Sequence, residues 1–256
     1  TAATPSAAAS TKQASVEDPA QKAAAEAALK AAEEAAAKAP PLVAGVDYAE
    51  IPNGQPFETA DGRIEVAEVF GYVCPFCASV QPTVSAMKAK FPPDIHMVYV
   101  PAAFGQMWDN YAKAFYTAEA MGLVDKTHDD MFRAIHVDKT LKGERGMDTP
   151  EEIAAFYQAY GADPKQFVSS MSSFAIAAKV NRARQWVMAA FGDGRASTPT
   201  FIVNGKYRIT GKTVDDMFRI MNQLVVAERA RAATAAPAVP EQAPATETPA
   251  SAPTAS

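Results

Sequence analysis

The stretch EVFGYVCPFC, residues 68–77, leads a hydrophobic run directly into two cysteines. Cys74 and Cys77 are the two cysteines of the 256-residue chain, and Pro75 and Phe76 stand between them. Because an amphipathic pattern follows, the sequence predicts a strand, a C-x-x-C turn and a helix. A cysteine pair placed this way is typical of a redox-active dithiol.

The position of Cys74 at the start of the predicted helix favours a reactive thiolate. Unpaired backbone N–H groups and the positive end of the helix dipole stabilise an anion at that position. Pro75 suits the first helical position, because its φ is already fixed and its missing N–H would have had no partner there.

Four other interpretations of the two cysteines stay open at this point. A structural disulfide usually closes a longer loop, because closing a short one removes little entropy from the unfolded chain. Two buried apolar cysteines, or a chance motif, would also fit the pattern. A metal site usually needs four ligands, and it would have to recruit histidines from elsewhere, namely His96, His128 and His136.

Composition divides the chain into three parts. Residues 1–42 form an Ala-rich, low-complexity leader, and residues 232–256 form an Ala/Pro/Thr tail. We expect both ends to be disordered apart from some helix in the leader, because they lack the apolar surface that offsets ordering entropy. Residues 43–231 remain as one domain that is large enough for a hydrophobic core. Alternating charges every four residues favour a solvated helical spacer in the leader: Lys22, Glu26, Lys30, Glu34 and Lys38.

Charge and hydropathy exclude some partners. A net charge of −5, a pI near 5.3 and the lack of a basic block argue against nucleic-acid binding. No run approaches the length of a transmembrane helix. The chain begins at Thr1 without methionine, from which we expect processing upstream. The leader would suit a tether to a lipid anchor there.

The hydrophobic pattern predicts strands at residues 46–51, 63–72 and 95–104, with a helix after the dithiol whose apolar face runs from Cys77 to Phe91. A helical block follows over about residues 106–192. Within the block, Gly122 should end the first helix, and Thr127 should cap the second.

Further local signals mark the second half of the chain. Thr149 and Glu152 predict a capping box, and apolar positions from Phe174 onwards predict a long helix that faces the core. Asn204-Gly205 between two β-type runs predicts a hairpin with a type I′ turn. Thr213 should cap a final helix. The order is that of a thioredoxin fold interrupted by helices.

Residues 46–230 resemble the DsbA-like periplasmic thiol–disulfide oxidoreductases of the thioredoxin superfamily. The resemblance rests on the CPFC motif with Glu68 six residues before Cys74, on the helical block, and on the segment STPTFIVNGKY at residues 197–207. It implies an α/β thioredoxin fold with an inserted all-helical domain.

The resemblance also implies a role for each residue of the dithiol motif. Cys74 would be the exposed nucleophile with a low pKa, and Cys77 its buried partner. Pro75 and Phe76 would border the bound substrate. In the family, the proline that matches Pro199 is cis and faces the dithiol, and its neighbour, here Thr198, pairs with the substrate backbone.

Glu68 resembles the family's buried acid below the dithiol. A buried carboxyl is energetically costly unless it has a function, and this one would relay a proton to or from Cys77. The alternative is a carboxylate at a strand end that reaches solvent.

Two departures from the family pattern bear on the redox potential. The most oxidising members carry histidine where this chain has Phe76, and a lysine on the strand that here reads HMVYV at residues 96–100. Phenylalanine offers no positive charge to a thiolate. We therefore expect the pKa of Cys74 to be less depressed than the value of about 3.5 established for DsbA.

The resemblance implies a monomeric periplasmic enzyme, without metal or organic cofactor, that donates its disulfide to exported proteins. A quinone-linked membrane oxidase of DsbB type would re-oxidise it. The first alternative is a disulfide reductase or isomerase of the same fold. A peptide-binding, chaperone-like domain and a metal carrier are alternatives of a different class.

Overall fold

The computed structural model describes residues 19–58, 62–192 and 194–235. These residues form five strands: β1 Tyr48–Glu50, β2 Ile64–Phe70, β3 Ile95–Pro101, β4 Thr200–Val203 and β5 Tyr207–Ile209. They also form eight α-helices: α1 Pro19–Lys38, α2 Pro75–Lys88, α3 Gln106–Ala120, α4 Val124–His136, α5 Pro150–Gln158, α6 Pro164–Met171, α7 Phe174–Phe191 and α8 Val214–Ala235. A short 3₁₀ helix, Gly143–Arg145, precedes α5.

The strands form one mixed sheet in the order β1-β5-β4-β2-β3. β2 runs parallel to β3 and antiparallel to β4, and all seven of its residues are buried. A strand covered on both faces reads as a nearly continuous apolar run, which explains the sequence before the dithiol. Helices α3 to α7 lie between β3 and β4 in the chain. The predicted α/β thioredoxin fold with a helical insertion is therefore confirmed.

The strands are shorter than the hydrophobic pattern predicted. β1 begins at Tyr48, and Val46 lies outside it with 68% of its surface exposed. β3 ends at Pro101 rather than at Phe104, which is also exposed. The pairing stops there because its partner β2 ends at Phe70.

Three sequence-based predictions about the helices were wrong. Thr127 does not cap α4, which begins at Val124; Thr127 is buried within the helix and its hydroxyl donates to the carbonyl of Leu123 at 2.9 Å. Phe91 lies beyond the end of α2. Phe174 is not part of the core, because it starts α7 with 88% of its surface exposed.

Other local predictions are confirmed. Thr149 and Glu152 form the expected capping box at the start of α5, and the hydroxyl of Thr213 accepts from a backbone N–H of α8. Asn204 and Gly205 both have positive φ, as a type I′ turn requires. The register pairs Val203 with Tyr207, so one more residue lies in the connection than the sequence suggested.

Helix α1, in the predicted leader, packs against α8. The side-chain amide of Asn222 donates to the carbonyl of Ala32 at 2.9 Å, and that of Gln223 donates to the carbonyl of Pro40 at 2.9 Å. The solvated helical spacer predicted for the leader is therefore wrong for residues 19–42, whose helix α1 is docked on α8. Residues 1–18 and 236–256, for which disorder was predicted, lie outside the described ranges, and the division at residues 42 and 231 stays a prediction. None of the described helices is long and apolar enough to cross a membrane.

Candidate active site

The dithiol lies at the N-terminus of α2. Cys74 is the N-cap residue, with extended backbone angles, and Pro75 occupies the first turn. The sulfur of Cys74 accepts a hydrogen bond from the backbone N–H of Cys77 at 3.4 Å. Both cysteines are free thiols.

The two thiols differ in acidity. The pKa of Cys74 is lowered to about 6, chiefly by the hydrogen bond from the Cys77 thiol, with Thr198 acting in the same direction. Burial raises the pKa of Cys77, which is fully enclosed. The thiolate, which is the nucleophilic form of cysteine, therefore resides on Cys74 at neutral pH.

Cys74 is less exposed than we expected of an attacking thiol. Only 8% of its surface is accessible, and its sulfur lies 3.5 Å from the backbone carbonyl oxygen of Thr198. An attacking sulfur must therefore approach Cys74 beside the loop that contains Thr198.

This loop reaches the dithiol because of the sheet topology. β4 runs antiparallel to β2 and pairs Thr200 with Val69, so the residues just before β4 lie beside the turn that follows β2. The Thr198–Pro199 bond is cis, as the resemblance implied, and Pro199 is buried. Sequence positions more than 120 residues apart thus form one site.

Pro75 and Phe76 lie at the surface beside the dithiol, and 43% of the Phe76 side chain is exposed. A phenyl ring has neither a hydrogen-bond donor nor a charge to offer the Cys74 thiolate. Phe76 therefore presents an apolar contact surface to whatever approaches Cys74.

Glu68 lies in the middle of β2, and its side chain is fully buried. Both carboxyl oxygens lack a hydrogen-bond partner among the described residues. Burial raises the pKa of Glu68 to about 8, with a smaller contribution from the negative charge of Cys74. The acid is therefore protonated at neutral pH, and the alternative of a solvated strand-end carboxylate does not hold.

β3, the strand on which the resemblance implied a lysine in the most oxidising members, reads HMVYV at residues 96–100. In the parallel register of β2 and β3, Tyr99 lies opposite Glu68. Tyr99 is almost buried, and burial together with the nearby Glu68 raises its pKa, so it stays neutral. Glu68 therefore has an uncharged neighbour across the strands, which favours its protonated form.

The sequence did not predict which residues contact the turn between β2 and α2. His128 and His136, candidate metal ligands from the sequence, both form hydrogen bonds with Tyr72, two residues before Cys74. The spacing of four residues from His128 to Phe132 and again to His136 was a signal that the three share one face of α4. Within the described ranges, no three His, Cys, Asp or Glu side chains are grouped so that they could hold a metal ion.

Comparison with known proteins decides the family. The family model described as a DSBA-like thioredoxin domain matches residues 65–224, which include the dithiol, the helical block, β4, β5 and the first half of α8. The chain belongs to the DsbA-like thioredoxin family. It is a thiol–disulfide oxidoreductase.

DsbA proteins similar to this chain come from several bacteria. The thiol:disulfide interchange protein DsbA of Pseudomonas aeruginosa is 36% identical over 192 residues, which are 74% of this chain and 87% of that protein. DsbA of Azotobacter vinelandii is 37% identical over 164 residues, which are 64% and 72% of the two chains.

Solved DsbA structures share the fold. The crystal structure of the oxidoreductase DsbA from Xylella fastidiosa superposes with a TM-score of 0.69 at 38% identity, covering 74% of this chain and 98% of that one. The structure of Pseudomonas aeruginosa DsbA gives 0.66 at 35% identity, covering 75% and 97%.

Proposed function

We propose that this DsbA-family protein donates a Cys74–Cys77 disulfide to cysteine pairs of exported proteins in the periplasm. The observation that supports this most is the difference between the two thiols: Cys74 is held as a thiolate, and Cys77 is buried as a neutral thiol. A stabilised thiolate on Cys74 favours the reduced form of the pair, so the disulfide form is a ready acceptor of electrons.

The first step would be attack of a substrate thiolate on the Cys74 sulfur of the disulfide. The new bond joins the substrate sulfur to Cys74, the Cys74–Cys77 bond breaks, and Cys77 leaves with the electron pair. A buried thiolate at Cys77 is unfavourable. Glu68, protonated and buried next to the pair, would supply the proton that makes Cys77 a thiol.

In the second step, the other thiolate of the substrate attacks its own sulfur in the mixed disulfide. Cys74 leaves as the stabilised thiolate, and the substrate keeps the new disulfide. Two electrons have then moved from the substrate dithiol to the enzyme. We propose that a quinone-linked membrane oxidase of DsbB type accepts them and restores the Cys74–Cys77 disulfide.

Phe76 and Thr198–Pro199 would bind the substrate around Cys74. The exposed ring of Phe76 offers apolar contact. The loop of Thr198 passes within 3.5 Å of the Cys74 sulfur, so its backbone can pair with an extended peptide. This arrangement would accept many sequences, because main-chain pairing does not depend on side chains.

An oxidation assay tests the proposal. The disulfide form of the full chain is mixed with a reduced, unfolded protein that contains one cysteine pair, and loss of substrate thiols is followed with time. We expect stoichiometric oxidation by the wild type and none by Cys74→Ser or Cys77→Ser, because neither variant can form the disulfide that accepts two electrons from the substrate. Oxidation by Cys74→Ser at the wild-type rate would contradict the proposed role of Cys74.

Disulfide reduction or isomerisation is the second candidate function. Phe76 in place of histidine favours it, because the thiolate of Cys74 lacks a cationic neighbour there, and its pKa of about 6 lies above the value of about 3.5 established for DsbA. Reactivation of a protein with scrambled disulfides by the reduced enzyme, faster than oxidation of a reduced one by the disulfide form, would favour this candidate.

A further inference from the structure

The face of α4 that packs against Tyr72 carries three rings. His128, Phe132 and His136 are spaced four residues apart, so they line one side of the helix. All three contact Tyr72: its ring lies 5.0 Å from that of Phe132, and both histidines form hydrogen bonds with it.

Tyr72 is the second residue of the tight turn 71–74, which connects β2 to Cys74. The backbone N–H of Cys74 donates to the carbonyl of Gly71 at 3.0 Å, which closes a four-residue turn between β2 and α2. Tyr72 is 1% exposed, so its polar groups need partners inside the protein.

Both polar ends of Tyr72 find those partners on α4. The Nε2 atom of His136 lies 2.7 Å from the backbone carbonyl oxygen of Tyr72. Because a carbonyl only accepts, His136 must carry a proton on Nε2. The Nδ1 atom of His128 lies 2.9 Å from the hydroxyl of Tyr72.

The two histidines have different surroundings. His128 is buried against five aromatic rings of the core, and burial lowers its pKa to about 3, so its ring is neutral. His136 is partly exposed at the last turn of α4. His136 is therefore the contact that can be changed with the smallest effect on the core.

We propose that His136 and His128 are positioning residues that clamp the turn 71–74 through Tyr72 and so hold Cys74 in its hydrogen-bonded place at the start of α2. The inference rests on the proposed function only in taking Cys74 as the nucleophile. It assigns the helical insertion a part in the redox chemistry, because α4 belongs to the insertion and the clamp reaches back to the thioredoxin unit.

The clamp acts on the geometry of the thiolate. The sulfur of Cys74 accepts from the N–H of Cys77 at 3.4 Å, a distance at which a small displacement weakens the bond considerably. If the carbonyl of Tyr72 loses its donor, the turn can rotate towards another partner. The thiolate of Cys74 then loses part of its stabilisation, and less of it forms at slightly acid pH.

The test is the rate at which iodoacetamide alkylates Cys74 in the reduced full-length protein, measured from pH 4 to 9. His136→Leu removes the donor, and His136→Gln replaces it with an amide N–H of similar reach. His96→Leu is the matched control, because this histidine is also half-buried and forms a hydrogen bond, in its case with Glu58. In the sheet, His96 pairs with Glu65, at the opposite end of β2 from the dithiol.

We expect His136→Leu to slow alkylation at pH 6 about three- to tenfold, since the thiolate fraction falls as the pKa of Cys74 rises. His136→Gln and His96→Leu should stay within about twofold of the wild type. A wild-type rate for His136→Leu would overturn the proposal. So would equal slowing by His96→Leu, which would reveal general loosening, or equal slowing by His136→Gln, which would exclude the donor role.

A second measurement on the wild type needs no variant and holds even if His136→Leu does not fold. Nitrogen NMR of the histidine rings should show His136 with its proton on Nε2 and coupled to the Tyr72 carbonyl in the reduced protein. An unprotonated Nε2 would overturn the clamp. Neither readout uses a protein substrate, so a failure of the oxidase function in the oxidation assay is distinguished from a failure of this inference.

Discussion

At the scale of single residues, the chemistry depends on where one negative charge rests. Cys74 carries it readily because a neighbouring thiol and a backbone N–H donate to its sulfur. Cys77 and Glu68 resist it because burial penalises their charged forms. At neutral pH, Cys74 is thus a stabilised thiolate, whereas Cys77 and Glu68 are buried and uncharged.

Phe76, the residue directly before Cys77, should set how far the Cys74 pKa falls. In Phe76→His we expect a protonated imidazole beside the sulfur to lower the pKa of Cys74 by roughly one or more, which raises the reduction potential by about 30 mV per pKa unit. Thiolate absorbance and equilibrium with glutathione measure both. Thr83→His, on an exposed position of α2, is the control and should change neither. An unchanged potential in Phe76→His would show that position 76 does not tune this site.

Glu68 should make the fold less stable as the pH rises. Its folded pKa of about 8 exceeds its ordinary value of 4.5, so the folded state binds the proton more tightly, and stability is lost as the pH rises from 4.5 through 8. We expect the free energy of unfolding to fall by roughly 2–4 kcal/mol between pH 5 and pH 8 from this group.

Urea unfolding of the disulfide form checks this, because Cys74 then has no thiol to titrate. Glu68→Gln should remove most of the decline, and Glu50→Gln, the same exchange on an exposed side chain of β1, should leave it in place. A decline that is equally steep in Glu68→Gln would place its origin in another group.

At the scale of elements, the turn between β2 and α2 has very little space around it. A methyl group on Gly71 would overlap the ring of Trp108 on α3. Trp108 in turn packs beside the exposed Phe104, with ring centres 5.0 Å apart. The helical insertion therefore contacts the active-site turn from two helices, α3 through Trp108 and α4 through its histidines.

We expect Gly71→Ala to destabilise the protein by about 1–3 kcal/mol, because a flat ring or the turn itself must move. Denaturant midpoints measure the loss. Gly146→Ala is the control, since a methyl group there meets only the flexible side chain of Lys142. Trp108→Leu combined with Gly71→Ala should recover part of the loss, and no recovery would mean that the turn clashes elsewhere.

The sequence predicted the caps and turns of single elements better than it predicted which residues of different elements contact each other. The capping box at Thr149 and the turn at Asn204 follow from local chemistry, and both are present. The start of α4 was misplaced, because Thr127 has the residue type of a cap while its hydroxyl donates to Leu123 four residues earlier. Glu68 was correctly predicted as buried from the resemblance, whereas its neighbour Tyr99 depends on strand register, which no local signal gives.

At the scale of the whole molecule, the Ala-rich helix α1 is part of the folded body. Two adjacent amides of α8, Asn222 and Gln223, donate to backbone carbonyls at the C-terminal part of α1 and just after it. From its sequence, a charged helix rich in alanine is expected to be solvated. The hydrogen bonds that dock α1 are accepted by backbone carbonyls, so they require no particular side chain in α1. That is why composition alone could not predict the docking.

We expect Asn222→Ala with Gln223→Ala to release α1 without affecting the dithiol. Each lost hydrogen bond should cost about 0.5–1.5 kcal/mol of docking free energy. Hydrogen exchange of the α1 amides should quicken, while alkylation of Cys74 keeps its wild-type rate. Asp215→Asn, on an exposed position of α8, is the control for a change on the same helix. Unchanged exchange in the double variant would mean that apolar packing alone holds α1.

The central claim is that Cys74 and Cys77 form a redox pair that oxidises other proteins. Its most direct test is the reduction potential of the pair, measured from its equilibrium with glutathione. The pKa of the Cys74 thiol is titrated on the same sample. A pKa of about 6 lies between those established for DsbA and thioredoxin, about 3.5 and 7. At about 30 mV per pKa unit, we therefore predict a potential between theirs, about −195 mV. A potential near −270 mV, with a pKa of Cys74 above about 8, would contradict the account.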